Sequence, residues 1–173
     1  MIIREATLAD LSKLRELAIR VFTVTFEKDN KPEDFKAFMD EAYSETKMRS
    51  EFSEPGAVYL VAVDGENFAG YARVRENNEV DAHLGANHLE LQRLYADVHY
   101  QGRGVAKALM DACEKIALNR NKEWIWLGVW EHNPKAIHFY QKHGYERFSQ
   151  HSFMLGSDKQ TDLLMKKKVS GDR

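Results

Sequence analysis

The residues of this chain best suited to chemistry lie in two short stretches. The first is Gln101-Gly102-Arg103-Gly104-Val105-Ala106. A strand-like run, His88 to Ala96, precedes it. Val105, Leu109, Ala112, Cys113 and Ile116 follow at helical spacing. A glycine-rich turn at the start of a helix suits an anion, because the first backbone N–H groups have no helical partner and the helix dipole favours negative charge there. Glycine also lets the backbone approach a phosphate and take a positive φ without clash. A phosphorylated cofactor is the expected guest. The other reading of these six residues alone is a tight strand-to-helix turn with no ligand. Two common phosphate motifs do not fit. A Walker loop needs GxxxxGK[ST], which the chain lacks. A dinucleotide fingerprint needs GxGxxG in an early βαβ unit, and Lys107 stands where its third glycine belongs.

The second stretch begins with an apolar run of strand length, Trp124-Ile-Trp-Leu-Gly-Val-Trp130. Asn133 then suits a helix N-cap, and Pro134 suits the first helical position. Ala136, Phe139 and Tyr140 follow at helical spacing, and Gly144 stops the helix. Gln101, Gly104 and Ala106 resemble the acetyl-CoA pyrophosphate loop Q/R-x-x-G-x-G/A of the GNAT N-acetyltransferases. Asn133, Ala136, Phe139, Tyr140, Gly144 and Tyr145 fill that family's second motif, N-x-x-A-x-x-F-Y-x-x-x-G-[FY]. The two motifs stand in the family's order and spacing. The resemblance covers nearly the whole chain, and its specific part is residues 88 to 145.

That resemblance implies an α/β (α+β) fold: a twisted mixed β-sheet with helices on both faces and a splay between two central parallel strands. It implies acetyl-CoA as co-substrate and no metal. The backbone of Leu94, Tyr95 and Ala96 would bond the pantetheine arm as an added strand would. Gln101, Gly102, Arg103, Gly104, Val105, Ala106 and Lys107 would take the pyrophosphate, and Asn133 the arm from the other side. The amine would attack the thioester carbon while a strand N–H polarises its carbonyl. Tyr140, placed against the cofactor, would be the general acid: a phenol with pKa about 10 can protonate a thiolate whose thiol has pKa about 8.5 as charge builds on sulfur. Packing beside Phe139 is the plain alternative for Tyr140. Glu90 would be the general base, with a salt-bridged strand carboxylate as the equal alternative; Glu131, Asp97 and a water chain compete. Alternation puts Leu89 and Leu91 on one face, and Glu90, Gln92 and Leu94 on the other.

The elements that must hold these residues can be read around them. Ile2 to Glu5 is a short strand, and Thr7 with Asp10 is a capping box. Leu11, Leu14, Ala18, Val21 and Phe22 share one helical face. Pro32 opens a second helix and Ser44 caps a third. Val58 to Val63 and Phe68 to Arg75 form a hairpin about Asp64–Asn67, and Glu76 to Asn87 is a polar loop. Glu146 to Leu155 and Asp162 to Lys168 are final strands. The order is β-α-α-α-β-β-β-α-β-α-β-β, in one domain spanning 1–173. Trp124, Trp126, Gly128 and Trp130 fall on one side of their strand, as core under a helix, with Trp130 near the chemistry.

Composition limits the function classes. A net charge of −2 argues against general nucleic-acid binding, and the Lys166–Lys168 run reads as a solvated strand end. Cys113, the one cysteine, excludes an internal disulfide and reads as a small buried helix residue. The histidines show no metal-ligand spacing. No signal pattern or membrane-length apolar run is present, so a cytoplasmic protein with no membrane partner is expected. Ile125 to Glu131, His151 to Gly156 and Gln160 to Leu163 resemble the bacterial spermine/spermidine N-acetyltransferases of the PaiA type. This implies a small-molecule amine as partner, specifically a polyamine, and leaves a homodimer open. Residues 27 to 54 hold nine acids against five bases, which would suit a polycation, although a solvated helical surface is the usual fate of such charge. Another small amine, an aminoglycoside-like compound, a peptide α-amine, or a CoA-binding regulatory domain without catalysis are the alternatives.

Overall fold

Period-two apolar patterning and helical stripes sort the chain into a seven-stranded sheet clothed on both faces. The computed structural model describes residues 1–77, 84 and 87–169, so most of the expected Glu76–Asn87 loop lies outside the described residues. The elements run β1 (Ile2–Glu5), α1 (Leu11–Phe26), α2 (Pro32–Ala42), α3 (Glu45–Phe52), β2 (Val58–Asp64), β3 (Asn67–Arg75), β4 (His88–Ala96), α4 (Val105–Asn119), β5 (Trp124–Trp130), α5 (Pro134–Lys142), β6 (Glu146–Leu155) and β7 (Asp158–Lys168). Their order matches the expected one. Local signals act where expected: Asp10 accepts from the Thr7 N–H at 2.8 Å, and Ser44 Oγ from the Lys47 N–H at 3.1 Å. Two boundaries differ. The β2–β3 turn is tighter, since Asp64 already pairs with Asn67, and β7 starts four residues before Asp162.

Spatial order in the sheet is β1-β2-β3-β4-β5-β7-β6, with β4–β5 the parallel pair. That pair holds over only His88–Trp124, Leu89–Ile125 and Glu90–Trp126. Beyond it β4 runs on to Ala96 paired with β3 alone, and β5 runs on to Trp130 paired with β7 alone. The two central strands therefore splay, and each turns an unpaired edge to the gap.

One face carries α4 and α5 over Leu89, Leu91, Ile125, Leu127 and Val129; the other carries α1, α2 and α3 over Tyr59, Val61 and Tyr71. The face assignment of Glu90 needs correction. Arg73 pairs with Arg93 and Val74 with Leu91, so Gln92 is the extra residue of a β-bulge. The bulge resets alternation. Leu94 and Ala96 join Leu89 and Leu91 on the α4 face, while Tyr95 lies on the α1 face. Glu90 faces with Tyr95, not with Leu94.

The tryptophans do share one side of β5, but Trp124 and Trp126 are not under a helix. They pack with Leu84, Leu164 and Phe148 in a separate cluster. The Lys166–Lys168 run is also less solvated than its composition implies. Lys166 lies 4.3 Å from the Trp124 ring centre, and Lys167 pairs with Glu114 at 3.0 Å.

Candidate active site

The glycine-rich turn closes the end of β4 onto the start of α4. Gly102 has φ 76 and Gly104 φ 79, both left-handed, and a Cβ added at either would meet nothing within 4 Å. The open space lies against backbone donors. The first helical bond of α4 is Ala108 N–H to Gly104 O at 3.0 Å, which leaves the N–H groups of Val105, Ala106 and Lys107 without helical acceptors. Three cations flank the turn. Lys135 of α5 donates to Gln101 Oε1 at 3.1 Å, Lys107 pairs with Asp111 at 2.5 Å, and the Arg103 guanidinium lies 4.8 Å from the Tyr100 ring centre. The cradle fits a pyrophosphate in geometry and in charge.

Gly70, which sequence reasoning did not single out, and Asp97, which it weighed only as a base, hold this turn. Gly70 of β3 lets α4 close in: a Cβ there would stand 2.6 Å from the Tyr95 carbonyl and 2.8 Å from Val105. Asp97 caps the turn after β4 by accepting from the His99 N–H at 3.0 Å, and it pairs with Arg20 of α1 at 2.5 Å. Burial would raise the Asp97 carboxyl, but Arg20 and the His99 N–H hold it below the usual range. That fixed ion pair makes Asp97 a strut rather than a base.

Asn133 caps α5, its Oδ1 accepting from the Ala136 N–H at 3.2 Å, so its amide nitrogen stays available as a donor. Tyr140 lies about two helix turns further on, against the α4 face. Its ring centre is 5.4 Å from Phe139 and 5.6 Å from Tyr145. Burial pushes the phenol well above its usual value, and the nearby Cys113 adds to that. Cys113 itself is buried, as expected, and burial raises its thiol too. The Tyr95 phenol, on the opposite face, feels the charge of both Tyr140 and Asp162. Tyr140 packs on the α4 face and Tyr95 on the α1 face, so the two phenols lie on opposite sides of the sheet.

Glu90 is buried and engaged. Arg75 Nε donates to Oε2 at 2.5 Å, and Asn77 Nδ2 to the same oxygen at 3.0 Å. Its ion-pair partner is thus Arg75, while Arg93 further along β4 binds Glu51 at 2.8 Å. Of the nine acids in residues 27–54, Asp34, Asp40, Glu45, Glu51 and Glu54 hold internal partners, and Asp34 and Glu51 are buried.

The face opposite α4 carries a carboxylate that the sequence did not flag. Asp162 of β7 lies beside His151 of β6, with Oδ2 3.6 Å from Nε2. Its burial raises the carboxyl, with His151 pulling the other way. Gly128 of β5 is exposed between buried Leu127 and Val129 although its strand is internal to the sheet. The aromatic rim includes Trp130, 6.0 Å from Phe26 and 5.3 Å from His132 between ring centres. The β6–β7 turn closes this side by docking on α2, where Ser157 Oγ donates to Asp34 Oδ1 at 2.8 Å, and Gln160 donates to Asn30 at 2.7 Å. A shallow cavity of about 300 Å³ between α1 and α2, lined by Ile19, Phe35 and Met39, lies away from these groups. Among the described residues no cluster could hold a metal ion, and no helix is long and apolar enough to cross a membrane.

Comparison with known proteins agrees with this geometry. The model of the acetyltransferase (GNAT) family matches residues 13–145. An uncharacterized N-acetyltransferase of the pepI 3′ region of Lactobacillus delbrueckii subsp. lactis is 40% identical over 159 residues, covering 91% of each chain. The spermidine N(1)-acetyltransferase of Thermoplasma acidophilum is 26% identical over 148 residues, covering 83% of this chain and 87% of that one. The crystal structure of the PaiA N-acetyltransferase of Thermoplasma acidophilum in complex with coenzyme A superposes with a TM-score of 0.78 at 24% identity, covering 96% of this chain and 98% of that one. With the splayed sheet, the donor-lined turn and the family match together, the chain belongs to the GNAT acetyltransferases and is an acetyl-CoA-dependent N-acetyltransferase.

Proposed function

We propose that this enzyme acetylates a primary amine of a polyamine by direct attack of the amine on the thioester. The observation that carries the direct route is the gap itself. The phosphate-binding turn and Tyr140 lie on its α4 face, and Tyr95, Glu90 and Asp162 on the opposite face, which supports a route that uses both sides. A thioester and an amine can thus meet from opposite sides without an acyl-enzyme. The polyamine rests on the relative named a spermidine acetyltransferase and on the resemblance in β5 and β6–β7. The acceptor face supports it with aromatic rings and a carboxylate, a combination suited to an ammonium.

Acetyl-CoA supplies an activated acetyl group. The N–H groups of Gly102 to Lys107, with Gln101, Arg103 and Lys107, hold its pyrophosphate. The free edge of β4 at Leu94, Tyr95 and Ala96 and the Asn133 amide hold its arm. As the C–N bond forms and the C–S bond breaks, Tyr140 gives its proton to the sulfur. A phenol raised by burial stays protonated through the working pH range, so it serves as a donor. The ammonium must first lose a proton, and two carboxylates stand on its side. Glu90 has both Arg75 and Asn77 on it, which suits a positioning role. Asp162 is the less encumbered.

Acetyl-CoA turnover across a panel of amines tests the reading. Spermidine should give the highest kcat/KM. A preference for a peptide α-amine or an aminoglycoside would overturn the polyamine assignment, and no turnover with any amine would overturn direct N-acetylation of small amines.

A further inference from the structure

Gly128 stands in an unusual place. A central strand paired along its whole length on one side normally buries its residues, yet Gly128 is exposed. Its neighbours Leu127 and Val129 face α4 and are buried. The nearest atoms to a Cβ built on Gly128 belong to β7: Asp162 Oδ2 at 3.3 Å, Leu164 at 3.6 Å and the Asp162 Cβ at 3.7 Å. The Asp162 side chain therefore leans across Gly128 toward the gap, into space that any larger residue would contest.

Asp162 is a carboxylate without a fixed counter-ion. Its side chain is only 17% exposed, and among the described residues no lysine or arginine lies within salt-bridge distance. Its one charged neighbour is His151, half-exposed and charged only when protonated. Other acids on this face differ: Asp97 has Arg20, Glu51 has Arg73 and Arg93, and Glu90 has Arg75. A buried carboxylate left unpaired is costly, and the cost is removed when a cation arrives. Burial accordingly holds its carboxyl above the usual range, and a cation beside it would reverse that shift.

Resting on the amine-acceptor reading, we propose that Asp162, leaning over Gly128 and beside Trp130, is the site that receives and orients the substrate's primary ammonium. Gly128 provides the floor, and its missing side chain leaves room for the nitrogen next to the unpaired edge of β5. Trp130, paired with Asp162 across β5 and β7, offers an aromatic wall at the same level. His151, on the β6 side of the carboxylate, yields its place when an ammonium binds.

Two variants test this through different physics: Asp162→Asn removes the charge and keeps the shape, and Gly128→Val keeps the charge and fills the floor. With the best amine of the panel, Asp162→Asn should raise the amine KM roughly tenfold or more, the loss of one hydrogen bond to a charged group. The KM for acetyl-CoA should stay within about twofold. Gly128→Val should do the same. Calorimetric titration of spermidine into the CoA-loaded enzyme separates this site from the wider reading. Wild type that binds spermidine, and binds it no more tightly than Asp162→Asn does, overturns the site. Wild type that acetylates another primary amine, with Asp162→Asn still raising its KM, overturns the polyamine and keeps the site. An Asp162→Asn effect confined to acetyl-CoA KM also overturns the site.

Discussion

Replacing Tyr140 with phenylalanine removes one oxygen and preserves the ring contacts with Phe139 and Tyr145, so the fold should survive. If the phenol protonates the departing sulfur, kcat should fall about 10²-fold or more while acetyl-CoA affinity changes little. Because burial raises this phenol, the wild-type rate should not decline as pH nears the ordinary tyrosine value of about 10. A Tyr140→Phe enzyme with near-normal kcat when chemistry limits turnover would end the general-acid assignment. Glu90→Gln reads differently. A base that deprotonates the amine matters less at high pH, where free amine is plentiful, so its loss should then shrink. With Arg75 and Asn77 on Glu90, the expected loss is independent of pH, as for a positioning group. A loss that vanishes at high pH would return Glu90 to the role of base. The sequence marked Tyr140 because its motif is contiguous within one helix. Asp162 carried no comparable signal, since its meaning comes from Gly128, 34 residues earlier, and from the pairing of β5 with β7.

At the scale of the element, the glycine-rich turn and the first cap offer the sharpest tests. Gly104 sits at φ 79 with open space before it, so a Cβ there meets no atom within 4 Å but the residue must take a left-handed backbone. Such strain costs about 1–3 kcal/mol, and the branched side chain would stand where a phosphate must approach. Gly104→Val should weaken acetyl-CoA binding at least about tenfold, with folding retained. Unchanged affinity by calorimetry would remove the turn from the cofactor site. Asp10 tests the entry to α1. Hydrogen bonding from Arg4, then from the Thr7 N–H, holds its carboxyl at about 2. A depressed folded value means that its stabilisation is present above the ordinary carboxylate pKa and is lost as pH falls toward 2. Asp10→Ala should cost about 1 kcal/mol near neutrality and flatten the acid limb of stability between about pH 4 and 2. Equal urea midpoints for wild type and variant at pH 7 would count against the cap. These local signals were legible because a cap or a positive-φ glycine acts within four residues. The bulge at Gln92 was not: a strand read by strict alternation continues in register, and nothing in Leu91-Gln92-Arg93 announces the extra residue.

For the molecule as a whole, Arg73 connects what the sequence displayed only in pieces. It is a cation at 1% exposure in the middle of β3, where a period-two reading expects an apolar residue. Its guanidinium donates to the Glu51 carbonyl at 2.9 Å, to Gln92 Oε1 at 2.6 Å and to the Glu54 carboxylate. Arg93 adds a second cation to Glu51 at 2.8 Å and donates to the Tyr59 hydroxyl at 2.6 Å. The network thus joins α3 to the bulge that puts Leu94 and Ala96 on the α4 face and Tyr95 on the α1 face. Sequence order predicted the fold because each element signals itself; it could not predict this network, whose members come from α3, β2, β3 and β4 and meet only after folding. Arg73→Met keeps much of the volume but leaves Glu51 short of one partner and Gln92 of its donor. Breaking a buried pair from one side costs about 3 kcal/mol or more, so the urea midpoint should drop by a corresponding amount. Glu54 is 40% exposed and can turn to water, so Glu54→Gln should cost about 1 kcal/mol or less. If the network also sets the bulge, Gln92→Ala in the wild-type background should raise acetyl-CoA KM, and should do so no further in the Arg73→Met background. Additive effects of the two substitutions on that KM would separate the ion network from the geometry of the gap, and an Arg73→Met protein as stable as wild type would remove it from the core.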